Sequence, residues 1–96
     1  MNQAQEQIKR LTESFPCLRS KFHNYNFGDF DPDALWKASG VWSKGERLCL
    51  AFVLNVWTGN RPRQEWFPFD LLEFIATADS GNKAAVINWI VKPYWP

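Results

Sequence analysis

Residues 48–57 hold one polar side chain, Asn55, among Leu48, Cys49, Leu50, Ala51, Phe52, Val53, Leu54, Val56 and Trp57. So apolar a run is driven out of water, and the rest of the chain has to enclose it. Its ends decide its form. Ser43 and Glu46 match the capping box, in which each side chain satisfies an otherwise unpaired amide at a helix start. Gly59 is the residue that most readily adopts the left-handed conformation ending a helix. A buried strand is the rival, because periodicity alone does not assign a short apolar run. The cap, the length and the glycine favour a central helix over residues 44–58. Asn55 then needs a hydrogen-bond partner, expected from a neighbouring loop.

The flanking segments supply material to wrap that helix. Ala4, Ile8, Leu11 and Phe15 recur at helical spacing among polar residues, predicting an amphipathic helix over residues 2–15 that Pro16 terminates. Residues 17–30 have no clean period and read as a loop pinned by Phe22, Tyr25, Phe27 and Phe30. Asp31 before Pro32 marks a helix start, with Ala34, Leu35 and Trp36 near the core and a left-handed turn at Gly40. Asp70 with Glu73 repeats the capping pattern, Phe69 serves as hydrophobic staple, and Leu71, Leu72, Phe74, Ile75 and Ala78 form an apolar face. A last helix follows from about residue 82 to 91, capped by Asp79 or Ser80, its Ala85, Val86, Trp89 and Ile90 at helical spacing. The expectation is an all-α fold: one domain over residues 1–96, with four to five helices around the buried central one.

Composition bears on whether this core suffices and what surrounds it. With 46% apolar residues and six Trp in 96 positions, the chain has ample burial material, yet so small a domain leaves part of it in water. Some Trp should be semi-exposed. A net charge of +1 removes the electrostatic case for a strong phosphate binder or an acidic mimic. Residues 1–10 carry no secretory pattern, and no stretch approaches the ~20 apolar residues of a membrane span. A cytoplasmic protein off the membrane is expected, with Cys17 and Cys49 reduced.

Chemistry-bearing patterns are sparse. His23 has no partner identifiable from spacing, two Cys and one His make no zinc set, and Asp29, Asp31 and Asp33 lack the rest of a calcium loop. No glycine-rich phosphate loop is present. No enzyme, metal or cofactor is expected. Residues 74–89 have the outline of a helix-turn-helix, and a DNA-binding regulator is the alternative reading, but Asn82, Lys83, Asn88 and Lys92 form a thin basic surface beside Glu73 and Asp79. Protein recognition is the leading reading. Arg61, Arg63, Trp66 and Phe67 fall in one proline-punctuated segment, Tyr94 and Trp95 lie near residue 96, and Trp, Tyr and Arg dominate interface hot spots. The partner would be another protein, or a second copy burying exposed Trp in a twofold interface.

Across residues 41–60, the placement of Arg47, Leu50, Ala51, Leu54, Asn55, Trp57 and Gly59 resembles short uncharacterised proteins of bacterial plasmids and phages. The resemblance implies context only: an accessory protein of a mobile element, acting as an inhibitor of a host or defence component. It implies no residue role.

Overall fold

In a computed structural model of the chain, which describes residues 1–59 and 67–96, the central run is a helix. Six α-helices occur among the described residues: α1 (Gln3–Glu13), α2 (Pro16–Lys21), α3 (Pro32–Ala38), α4 (Lys44–Thr58), α5 (Leu71–Thr77) and α6 (Ser80–Val91). Short 3-10 turns occupy Phe27–Asp29 and Ser39–Val41. The described residues contain no strand, and none of their helices is long and apolar enough to cross a membrane.

The boundaries of α4 follow the sequence signals. Ser43 Oγ accepts from the Glu46 amide at 3.2 Å, Glu46 Oε1 accepts from the Ser43 amide at 3.0 Å, and Gly59 stops the helix at φ 75°. Leu48, Cys49, Leu50, Ala51, Val53, Leu54 and Val56 are buried, on more than one side of the cylinder, because α1, α2, α3 and α5 all pack against it. Phe52 completes the enclosure, its ring lying 5.9 Å from Phe15, 5.5 Å from Phe69 and 5.4 Å from Trp89. Asn55 finds its loop partner. Its Nδ2 donates to the Phe67 carbonyl and, inside the helix, to the Ala51 carbonyl, both at 2.8 Å.

Three local expectations are corrected. Pro16 does not merely end α1; it opens α2, where the first helical position needs no amide hydrogen. The Phe15 side chain cannot cap α2, and Asn82 of α6 does so from outside, its Oδ1 accepting from the Cys17 amide at 3.3 Å. Gly40 lies in the 3-10 turn and has no positive φ. Around residues 22–30 the aromatic pinning is as expected: Phe22 and Phe27 are buried, and Tyr25 meets both rings edge-on. Ala34 is exposed, while Leu35 and Trp36 pack on the core.

Packing around α2 is tight. An added Cβ at Gly81, in the first turn of α6, would come within 2.8 Å of Pro16 Cγ, so glycine permits the approach of α6 to α2. Cys17 on α2 faces Cys49 on α4, both as free thiols. Hydrogen bonding from the Cys49 thiol lowers the Cys17 pKa; the same bond, together with burial, pushes the Cys49 thiol up.

Candidate interaction face

Two capped helices build an exposed aliphatic surface. Asp70 caps α5 by accepting from the Glu73 amide at 3.1 Å, and Asp79 caps α6 by accepting from the Asn82 amide at 3.0 Å. With only two residues, Ala78 and Asp79, between them, the helices diverge from a shared corner. Phe74 is the only residue of α5 sent into the core, and α6 sends Asn82, Ala85 and Val86, with Trp89 half-buried one turn on. Asn82, Ala85, Val86 and Trp89 form one stripe at i, i+3, i+4 and i+7.

The other sides of both helices are aliphatic and exposed. Leu71 is 49% exposed, Leu72 77%, Ile75 49%, Ile87 56%, Ile90 57% and Val91 77%. Leu71 and Ile75 face Ile87 and Ile90 across a groove of about 370 Å³, floored by Phe74 and Val86, with Lys83 the only charged lining residue among the described residues. α6 carries Ala85, Val86 and Trp89 toward the core and Ile87, Ile90 and Val91 exposed, with Lys83 and Asn88 as polar positions between them. Six side chains at these exposures present on the order of 600 Å² of apolar surface, at the upper end of the ~300–600 Å² that monomeric proteins leave open.

A larger groove, about 540 Å³, lies between Trp36, Trp42, Arg47 and the start of α5. Its charges are already matched. Lys44 pairs with Glu73, Asp70 caps α5, and Arg47 lies 4.1 Å from the Trp36 ring while its Nε donates to Ser39 Oγ at 3.3 Å. That groove mixes Trp36, Trp42, Leu48 and Phe69 with charged groups already engaged in internal contacts, whereas the aliphatic one has few polar groups to satisfy.

The residues singled out by sequence are distributed differently. Arg61, Arg63 and Trp66 lie outside the described residues. Phe67 is a core residue, 2% exposed and edge-on to Trp36 at 6.0 Å, so its ring is unavailable to a partner. Burial is favoured there because its carbonyl is tied to Asn55. Tyr94 and Trp95 fold back on α6: the Trp89 Nε1–H donates to the Tyr94 carbonyl at 3.0 Å, and Trp95 meets Trp89 edge-on at 4.9 Å, leaving Trp95 50% exposed. Burial raises the Tyr94 pKa, with nearby Arg10 opposing. Of the residues put forward for reading DNA, Asn82 is 6% exposed and committed to α2, Lys83 lines the groove, and the outward side of α6 carries Ile87, Ile90 and Val91 beside Asn88. His23 is exposed, and Asp31 is the cap of α3.

Sequence reasoning put Leu71, Leu72 and Ile75 on one apolar face and Ile90 in line with Ala85, Val86 and Trp89; the structure exposes all four. The seven-residue α5 meets the core through Phe74 alone, and α6 meets it through Asn82, Ala85 and Val86. The signal was available: α5 and α6 each carry more apolar positions than one buried stripe can hold. No protein-family model, curated protein or solved structure matches the chain.

Proposed function

We propose that this chain is a non-enzymatic module that acts by binding protein, with the α5–α6 face as its contact surface. The observation carrying this reading is the exposure of Leu71, Leu72, Ile75, Ile87, Ile90 and Val91 around one aliphatic groove. A small-molecule site needs a few placed polar groups to orient its ligand. Among the described residues this lining offers Lys83 alone, and its chemistry suits the apolar side chains of another polypeptide. Arg61, Arg63 and Trp66 belong to the proposal as a second contact segment, from their residue types. A host or defence component as a further target, and inhibition as the mode of action, belong to the proposal only as what the resemblance of residues 41–60 implies.

Photo-crosslinking in living cells tests the reading. A photoreactive residue in place of Leu72 should give covalent adducts with protein, while the same residue in place of Val41, 93% exposed but on the Ser39–Val41 turn, should not. Equal yields at both positions, or none at 72, would overturn it.

A further inference from the structure

Resting on the reading that the α5–α6 face binds protein, we propose that its occupant is a second copy of this chain, held about a two-fold axis. A two-fold interface uses one patch twice, so the patch must complement itself. This face has both halves of such a fit. Leu72 and Val91, each 77% exposed, belong to the same two helices but do not line the groove, and in the proposed dimer they enter the second copy's groove while its own enter the first.

Area and composition agree with that occupant. Two faces of roughly 600 Å² bury about 1,200 Å² together, the lower limit of the ~1,200–2,000 Å² typical of specific complexes. An area at that limit belongs with weak, transient complexes, so micromolar concentrations are the range to examine. Interfaces between identical subunits are more apolar than those between independently soluble partners, and here six large aliphatic side chains are exposed, with Asn88 beside those of α6. Lys83 does not oppose the fit, because its aliphatic stem can lie in the groove while the ammonium reaches water at the rim.

Sedimentation velocity on the full chain, from about 1 to about 500 µM, is the test, a range that brackets a micromolar equilibrium. The mass should rise from 11.2 kDa toward twice that value with concentration. Ile87→Lys and Leu72→Lys should each hold the chain monomeric throughout the range with helical circular dichroism unchanged, and Val41→Lys should dimerise as the wild type does. Leu72 is so exposed that its replacement leaves the fold intact, so the test does not depend on Ile87 alone. A wild type monomeric throughout, or lysine variants that dimerise normally, overturns the second-copy proposal. If that occurs while the position-72 crosslinker captures a foreign protein, the binding reading stands and only its partner changes; if no adduct of any mass forms, both fall.

Discussion

Replacing Asn55 with Asp alters one atom's chemistry at the contact joining α4 to the segment that leads into α5. In the wild type a single amide nitrogen donates to two carbonyl oxygens, those of Ala51 and Phe67, each at 2.8 Å. Ala51 keeps its place in the helical ladder when this donor is lost, but the Phe67 carbonyl is left facing a partly buried site. Asn55→Ala should therefore cost about 1–2 kcal/mol, the penalty of one orphaned acceptor plus one lost bond. Asn55→Asp should cost more, about 2–4 kcal/mol at neutral pH, because an ionised carboxylate then faces two carbonyl oxygens without a proton to share. For a chain of this size each kcal/mol is worth roughly 4–8 °C in Tm, so the two variants should be resolved by thermal melting.

The pH dependence gives the sharper comparison. Repulsion from the two carbonyls raises the introduced carboxyl's pKa in the folded state above its unfolded value of about 3.9. The folded protein then holds the proton more tightly, so the neutral form's stability is fully present below about 3.9 and is lost as pH rises through the raised folded value. The protonated acid can donate to the Phe67 carbonyl, and the gap between Asn55→Asp and Asn55→Ala should narrow or reverse on acidification. Urea melts of both variants at several pH values, read as their difference, cancel every other acid-sensitive group. Equal stability of the two variants at all pH values would refute the reasoning.

Other expectations concern the scaffold. Gly81→Ala should destabilise by about 1–2 kcal/mol, the Pro16 contact outweighing the gain in helix propensity, while Gly45→Ala, which meets nothing within 4 Å, should stabilise by about 0.5–1 kcal/mol; denaturant melts compare them. In the native protein a thiol reagent should modify Cys17 well before Cys49, since hydrogen bonding lowers the Cys17 pKa while the same bond and burial raise that of Cys49; mass spectrometry of alkylated peptides reads the order, and the reverse order contradicts it. Glu46 is held below the usual range of its carboxyl, first by the Ser43 amide, so its contribution is complete above pH 4.5 and is lost as pH falls through the lowered value. Glu46→Gln should remove that part of the acid sensitivity, about a few tenths of a kcal/mol for a solvent-screened surface group.

What could be read from sequence was whatever its own neighbours dictate. The span of α4 was legible because Ser43, Glu46 and Gly59 lie within one turn of its ends and act there. The caps Asp31, Asp70 and Asp79 were legible for the same reason. The start of α2 was not, since its cap, Asn82, comes from 65 residues away, and no local pattern announces it. Gly40 misled because glycine permits a left-handed turn without requiring one. Asn55 was legible as a need for a partner, but only the fold could identify the Phe67 carbonyl.

The interaction face was hidden for a different physical reason. Periodicity shows that α5 and α6 have apolar sides; it does not show which side meets the core when nearly every side qualifies. The aromatic cluster drew attention instead, and there the chain largely satisfies itself: Phe67 is interior, and Trp95 rests on Trp89. The six exposed aliphatic residues are less conspicuous in a sequence than six Trp, yet they are the large aliphatic side chains exposed on α5 and α6.

Methyl accessibility to a soluble paramagnetic probe tests that claim most directly, read residue by residue in dilute solution and again under associating conditions. The Leu72, Ile87 and Ile90 methyls should relax strongly when dilute and become protected on association, with Leu50 and Leu54 shielded throughout. Protection of the three equal to that of Leu50 in dilute solution, or relaxation unchanged by association, would contradict the assignment of the α5–α6 face as the binding surface.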